Sequence, residues 1–391
     1  MASAKFMSER IPVAVLGASG LVGQRFQQRL VNHPWFRLAV VVGSEESAGK
    51  QLSELVWRLD EKRPNLPNIT VISGEIRGII SQLEKTNIQL VFSALPSAPA
   101  SIIEQQLADA GFHIFSNASA HREQPGMPLV IADLNPEHLT HFGSHKPTLK
   151  HQSSAAKMDG VEVAGSIGSI TCSTNCTIVP IALPLKALSQ INKIIKVEIK
   201  TQQALSGGGW KLLSDESSVN GNPNPFIPGE EEKVISELKH LLGVIDEQVI
   251  IPADIEVTAE CVRVGERDGH LVEVSVHFEN VISVSDAERA ISQWTCFSEN
   301  NLPSAPKSIM QICKEIPNRV EHLWLGQENN LSEELDPSKD LRAGMAIMVG
   351  GINSSKAKVI NFFALSHNTI RGAAGGCVLL AELVYSRGLI V

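Results

Sequence analysis

A glycine-rich turn near the start of the chain limits the possible folds more than any other feature of the sequence. It reads Gly17-Ala-Ser-Gly20-Leu-Val-Gly23, follows the apolar run IPVAVL and precedes a stretch with helical periodicity. In this context, glycines let backbone N–H groups approach a dinucleotide pyrophosphate at the N-terminus of a helix. The spacing is GxxGxxG rather than GxGxxG, so the turn predicts cofactor binding only together with its flanking strand and helix.

The rest of the chain contains two kinds of predicted strand, which differ in their pattern of apolar residues. Continuous apolar runs, typical of parallel strands buried on both faces, cover residues 11–17, 37–43, 88–95 and 112–117. After about residue 165, longer strands alternate polar and apolar residues, as in a sheet with one exposed face. We predict an α/β fold, with a doubly wound Rossmann-type domain (1–171 and 356–391) and an α+β domain (172–355).

Charge and cysteine content exclude several classes of protein. The formal net charge of the 391 residues is -8, which argues against a nucleic-acid partner. No stretch has the ~20 apolar residues of a membrane span, and residues 1–10 lack the apolar core of a secretory signal. Six scattered cysteines predict reduced thiols in a cytoplasmic protein, and none is spaced for a metal site.

Two cysteines lie where a helix is predicted to begin. The segment Thr171-Cys172-Ser-Thr-Asn175-Cys176-Thr177 places N-capping residues before an apolar helical stretch. A helix N-terminus stabilises a thiolate, so we expect a lowered cysteine pKa and a nucleophile at this position. The residues alone leave either cysteine as the candidate.

Three further patterns carry polar groups suited to an active site. Arg263 and His270 flank a predicted hairpin turn, and they offer a carboxylate-binding fork and a group that titrates near neutrality. A strand containing Gln203 runs into the glycine turn 207–209, and Glu230 opens a predicted helix. Glu45 and Glu46 follow the second strand, where an acidic residue favours the ribose 2′-hydroxyl of NAD.

Taken in order, the motifs resemble those of the aspartate-semialdehyde dehydrogenases, particularly the archaeal and fungal branch. The resemblance spans nearly the whole chain through VAVLGASGLVGQRF, SAGK, VFSALPS, SNASAHR, the NCT cysteine, QALSGGG, PFIPGEEEK, the RV…DGH pair, LPSAPK and FALSHNTIRGAAG. It implies reversible, NADP-dependent reductive dephosphorylation of L-aspartyl 4-phosphate to L-aspartate 4-semialdehyde. This step serves the biosynthesis of lysine, threonine, methionine and isoleucine. It also implies a homodimer or tetramer, with inorganic phosphate as a partner.

The resemblance assigns a role to individual residues. Cys176 is the expected nucleophile and carries a thioacyl group, with His270 as acid/base and Gln203 orienting the intermediate. The expected substrate-binding residues are Arg122, Asn175, Glu230, Lys233 and Arg263. The expected cofactor-binding residues are Gly17, Ser19, Gly20, Leu21, Val22, Ser44, Ser93, Ser206, Gly207 and Asn368.

Two departures from the family pattern leave alternatives open. The segment Cys-Ser-Thr-Asn-Cys is also similar to that of the glyceraldehyde-3-phosphate dehydrogenases, whose first cysteine is the nucleophile, so Cys172 rivals Cys176. Glu46 stands where the family usually has arginine, so NAD remains a candidate cofactor as well as NADP. The alternative functions are a CoA-thioester reductase of the malonyl-CoA type and a non-catalytic cofactor-binding relative. The polar segments 141–165 and 325–342 have no assigned role.

Overall fold

The structure is a computed structural model that describes residues 9–124, 126–141, 168–246, 249–296, 301–326 and 335–390. Of the two polar segments noted above, residues 142–165 of the first and residues 327–334 of the second lie outside the described residues. Within the described part of the chain, the backbone forms two large sheets with helices packed on them.

The first sheet is parallel throughout, with strand order β2-β1-β3-β4-β5. Its strands are β1 (Ile11–Leu16), β2 (Phe36–Val42), β3 (Leu90–Ser93), β4 (His113–Ser116) and β5 (Ser169–Cys172). The intervening helices are α1 (Leu21–Leu30), α2 (Ile76–Lys85) and α3 (Ser97–Asp109). The central strands β3 and β4 are buried along their full length, which explains their continuous apolar runs. The predicted doubly wound sheet is therefore confirmed.

The second sheet is mixed, with strand order β11-β12-β13-β10-β6-β9. The strands of this half are β6 (Ile194–Gln203), β7 (Val244–Asp246), β8 (Val249–Ile251), β9 (Glu256–Arg263), β10 (His270–Phe278), β11 (Met310–Cys313), β12 (Ile347–Lys356) and β13 (Val359–Ser366). Strands β7 and β8 form a separate antiparallel pair. The helices of this half are α4 (Val179–Ser189), α5 (Trp210–Leu213), α6 (Glu216–Val219), α7 (Glu230–Leu241), α8 (Val284–Ser292) and α9 (Arg319–His322). The last helix, α10 (Gly375–Ser386), belongs to the C-terminal segment.

One face of this second sheet is apolar and the other is polar. Val197, Val272 and Val276 share a core with Leu183 of α4 and Leu238 of α7. On the opposite face, Glu198, Lys200, Glu260 and Glu273 are exposed. The alternation along β6, β9 and β10 therefore marks the buried face, as the sequence predicted.

The C-terminal segment joins the two halves. After β13, a π-helical turn at Ile370–Ala374 leads into α10, and Val378 and Leu379 share a core with Val13 and Phe92 of the first sheet. Strand β13, however, pairs with β10 and β12 in the second sheet. The return to the first sheet thus begins after Ser366, which corrects the predicted boundary at residue 356, while the other domain boundary stays a prediction. No helix among the described residues is long and apolar enough to cross a membrane.

Candidate active site

The turn between β5 and α4 presents Cys176 to a cleft between the two halves. Asn175 shapes this turn, because its Oδ1 accepts the Thr177 N–H at 2.9 Å and its carbonyl accepts the Ile178 N–H at 3.0 Å. Helix α4 begins at Val179 with Pro180 in its first turn, where proline needs no N–H partner. Cys176 is half-buried and lines the cleft.

Cys172 has a different environment from Cys176. It is the last residue of β5, is fully buried and lies within the apolar core. Its backbone is hydrogen-bonded to Pro128 and Val130. These bonds hold β5 in place and do not form a ligand site. Of the two candidate cysteines, only Cys176 lines the cleft among the described residues.

His270 meets Cys176 from the second sheet. It is the first residue of β10, and its Nε2 lies 3.1 Å from the Cys176 Sγ. Its Nδ1 accepts the Ala204 N–H at 3.0 Å. Gly207 packs against the ring, since a Cβ there would lie 3.0 Å from the His270 Cε1. The imidazole is therefore held by the end of β6 on one side and by the sulfur on the other.

The predicted lowering of the cysteine pKa is wrong in this structure. Burial raises the pKa of the Cys176 thiol to about 11, and the Glu230 carboxylate adds to the rise, while Arg122 and Arg263 oppose it. The thiol precedes the first turn of α4 by three residues, so the helix N-terminus does not dominate its environment. Burial, with Arg263 and Arg319, lowers the pKa of His270 well below its ordinary value. Both shifts favour the uncharged forms, a thiol on Cys176 and a neutral imidazole on His270.

Glu230 bonds to two of the other predicted site residues. Its Oε1 accepts the Asn175 Nδ2–H and the Gln203 Nε2–H, each at 2.8 Å. The carboxylate is buried at the N-terminus of α7, after Gly229 with φ 66°. The amide of Gln203 therefore points to Glu230, beside the turn that carries Cys176.

Glu237 is a site residue that the sequence analysis missed. Its carboxylate is buried and accepts the Arg122 Nη1–H at 3.1 Å, the Thr174 hydroxyl at 2.7 Å and the Asn175 N–H at 2.7 Å. It follows Glu230 by seven residues, which is two turns of α7 and therefore the same face. This spacing from Glu230 is the sequence signal from which the position of Glu237 in the site could have been predicted.

The other three predicted substrate-binding residues lie on different elements around Cys176. Arg263 ends β9 opposite Gln203 and donates from Nη1 to the Ala204 carbonyl at 2.8 Å. Arg122 also donates to the Asn117 carbonyl at 2.9 Å and lines the cleft. Lys233 is half-buried one turn along α7 from Glu230, and it has no ion pair with any residue that the structure describes.

Some of the predicted cofactor residues line this cleft and others do not. Val22, Ser206, Gly207 and Asn368 line the same cleft as Cys176, and the Asn368 Nδ2 donates to the Ser206 Oγ at 2.8 Å. The structure does not bring Ser44 or Ser93 to this cleft: Ser44 lies in an exposed turn after β2, and Ser93 is fully buried at the end of β3. The Leu21 side chain packs with Leu59, Leu205 and Leu213, which leaves only its backbone for a ligand.

The glycine turn has the geometry that an anion-binding turn requires. Gly17 has φ 78°, and a Cβ on Gly23 would lie 2.1 Å from the Gly17 carbonyl oxygen. No side chain caps α1 at Gly20, so its first N–H groups are free to meet an anion. Among the described residues, no cluster of His, Cys, Asp and Glu is arranged to hold a metal.

Comparisons with known proteins agree with this geometry. The family model for the NAD binding domain of semialdehyde dehydrogenase matches residues 12–142, and the model for its dimerisation domain matches residues 185–371. The chain is 36% identical to the aspartate-semialdehyde dehydrogenase of Archaeoglobus fulgidus, over 97% of this chain and 100% of that protein. It is 32% identical to the Saccharomyces cerevisiae enzyme, over 96% and 98% of the two chains.

A solved structure extends the similarity to the fold. The aspartate semialdehyde dehydrogenase of Candida albicans, crystallised with NADP, superposes with a TM-score of 0.76 at 29% identity, covering 98% of this chain and 100% of that one. The sequence identity to the curated relatives extends over both halves of the molecule. The chain belongs to the aspartate-semialdehyde dehydrogenase family.

Proposed function

We propose that the chain catalyses the reversible, NADP-dependent reductive dephosphorylation of L-aspartyl 4-phosphate to L-aspartate 4-semialdehyde. The observation that carries the proposal is the 3.1 Å contact between Cys176 Sγ and His270 Nε2, at a cleft that Val22 of α1 also lines. A thiol beside an imidazole forms and releases acyl groups, and the start of α1 is where a dinucleotide phosphate binds. Family membership supports the same reaction.

The residues present fit a dinucleotide cofactor. The uncapped start of α1, with the Gly17 turn before it, would hold the pyrophosphate, and Ser206, Gly207 and Asn368 would hold the end nearer Cys176. When bound, the reduced nicotinamide supplies the hydride for the acyl group. The family relative solved with NADP supports that cofactor, whereas Glu46, in the exposed turn after β2, keeps NAD as a second candidate.

The charged groups around Cys176 match the groups of the substrate. We propose that Arg263 binds the α-carboxylate and that Glu230 binds the amino group, because each lies beside the cysteine's turn with the opposite charge. Arg122 and Lys233 are proposed to bind the phosphate, with Asn175 and Gln203 placing the acyl group. Arg122 suits this role because its Nε is buried without a hydrogen-bond partner in the described residues.

A covalent step on Cys176 follows from this placement. The Cys176 Sγ–carbon bond forms, the carbon–oxygen bond to phosphate breaks, and the thiol proton leaves on the phosphate as HPO₄²⁻. The covalent thioester divides one difficult displacement into two easier steps. After reduction of the acyl group, the aldehyde leaves and the sulfur is released as a thiolate, which then takes a proton from water.

We also propose a homo-oligomer that works in the cytoplasm. The matched dimerisation domain supports self-association, and the exposed polar face of the second sheet is available for it. The described cysteines, Cys172, Cys176, Cys261, Cys296, Cys313 and Cys377, are all free thiols, as expected in a reducing compartment. Light scattering and cell fractionation test these two points.

A spectrophotometric assay tests the proposed reaction. Aspartate semialdehyde, inorganic phosphate and either NADP or NAD are mixed with the enzyme, and the absorbance of the reduced nicotinamide is followed. We expect reduction that requires phosphate and is lost in Cys176→Ala. Phosphate-independent turnover, or activity with malonyl-CoA and NADPH instead, would contradict the proposal and favour a CoA-thioester reductase.

A further inference from the structure

The buried carboxylate of Glu237 joins two parts of the site that lie far apart in sequence. Its Oε1 accepts the Arg122 Nη1–H at 3.1 Å, while its Oε2 accepts the Thr174 hydroxyl and the Asn175 N–H, each at 2.7 Å. Arg122 lies in the loop after β4, whereas the other two residues belong to the turn between β5 and α4 that carries Cys176. One side chain of α7 therefore connects the arginine proposed to bind phosphate with the turn of the proposed nucleophile.

Two carboxylates of α7 hold Asn175 from different sides. The Glu230 Oε1 accepts its side-chain amide at 2.8 Å, and the Glu237 Oε2 accepts its backbone N–H at 2.7 Å. Both carboxylates are buried, and they lie two turns apart on one face of the helix. Because a buried carboxylate that is bonded to several donors has few alternative positions, α7 fixes the turn before Cys176 through both of them.

The guanidinium of Arg122 is held at both of its terminal nitrogens. Nη1 donates to Glu237, and Nη2 donates to the Asn117 carbonyl at 2.9 Å. The buried Nε–H has no hydrogen-bond partner among the described residues. Of the described carboxylates, Glu237 is the one that hydrogen-bonds to Arg122, since the buried Glu104 accepts the Ser116 hydroxyl instead. Glu237 thus sets the direction in which the planar fork of Arg122 faces.

We infer that Glu237 is a positioning residue, which holds the Arg122 guanidinium at a fixed place beside the turn of Cys176 so that phosphate binds next to the sulfur. The inference deepens the proposed function and rests on it for the identity of the anion. Two effects of the carboxylate oppose each other. Its negative charge weakens the binding of an anion, whereas its hydrogen bond keeps the fork in the geometry that two phosphate oxygens need.

The hydrogen bond outweighs the charge in this part of the site. The charge of Glu237 is balanced by Arg122 on one oxygen and by two N–H and O–H donors on the other. Without the carboxylate, the guanidinium keeps only the Asn117 carbonyl as an anchor and can turn about that bond, so the fork no longer faces both phosphate oxygens. We therefore expect removal of the carboxylate to weaken phosphate binding by about 10-fold or more.

Glutamine at position 237 separates the two ends of this connection. Its amide oxygen can still accept the Thr174 hydroxyl and the Asn175 N–H, but its amide nitrogen is a donor and cannot accept from Arg122. The first measurement is the protection of Cys176 from iodoacetamide by inorganic phosphate, which needs no turnover. We expect the dissociation constant of phosphate to be about 10-fold or more higher in Glu237→Gln than in the wild type.

The turnover assay separates positioning from a general loosening of the site. In Glu237→Gln, the KM for phosphate should rise about 10-fold or more, while the KM for aspartate semialdehyde stays within about threefold. A loosened site would raise both constants together. Glu232→Gln is the matched control, because Glu232 is exposed on the same helix, and we expect it to keep both wild-type constants. Circular dichroism confirms that both variants fold.

The outcomes are distinct from those for the proposed function. Unchanged or tighter phosphate binding in a folded Glu237→Gln, which is the result of removing a negative charge alone, overturns the inference. A parallel rise of both KM values, or no protection by phosphate in the wild type, also overturns it. If the wild-type protein shows no turnover with any substrate, the proposed function fails, while the protection of Cys176 still decides whether Glu237 positions an anion site.

Discussion

Gly372 packs directly against Cys176, the proposed nucleophile. A Cβ built on Gly372 would lie 2.7 Å from the Cys176 Cβ, 2.9 Å from its Cα and 3.0 Å from its carbonyl oxygen. Ordinary carbon–carbon contact begins near ~3.5 Å, so the cysteine would have to move by about 0.8 Å. A displacement of about 1 Å at a reacting centre costs about 10²-fold in rate. We therefore expect Gly372→Ala to lower kcat by about 10- to 100-fold.

The assay for this variant is the phosphate-dependent reduction of NADP, combined with the alkylation rate of Cys176 by iodoacetamide. Gly74→Ala is the matched control, because the nearest atom to its new Cβ is the Gly43 carbonyl oxygen at 4.0 Å. We expect the control to keep wild-type kcat. A folded Gly372→Ala enzyme with kcat within about threefold of the wild type would refute the reasoning.

Three further predictions concern the same site. Cys176→Ala should abolish turnover but leave NADP binding intact, and Cys172→Ala should stay active; the opposite pattern would make Cys172 the nucleophile. Arg263→Ala should raise the KM for aspartate semialdehyde by about 10-fold or more, since the charged hydrogen bond proposed to the substrate carboxylate is lost, and an unchanged KM would remove its carboxylate role. Because burial raises the pKa of Cys176 to about 11, its alkylation rate should rise about tenfold per pH unit through neutrality. A plateau below pH ~7 would instead indicate a thiolate–imidazolium pair.

The first sheet could be predicted because its signals are local. Strands buried on both faces need apolar residues at every position, and the turn after β1 needs Gly17 at φ 78°. The place of β13 was harder to predict, since VINFFALS also suits a buried strand of the first sheet. Its pairing with β10 and β12 places β13 in the second sheet. The sequence of one segment does not reveal which distant strand it will pair with.

The candidate site was predicted as a set of residues but not as an electrostatic environment. The capping residues before α4 indicated a reactive thiol, yet the pKa of Cys176 is raised by burial and by Glu230, which is 54 positions away in sequence. Glu237 was missed for a similar reason, since its three partners come from the turn after β5 and from Arg122. Local sequence reveals which groups are present, whereas desolvation depends on the complete fold.

Glu230 connects the resting state of the site to its proposed chemistry. Burial raises the pKa of the Cys176 thiol, and the negative charge of Glu230 adds to the rise, so both favour the protonated thiol. If the substrate's ammonium group binds Glu230 as proposed, it neutralises that charge, and the barrier to losing the thiol proton falls when the acyl phosphate arrives. The same buried carboxylate that adds to the raised pKa of the thiol would thereby make the ionisation of Cys176 dependent on bound substrate.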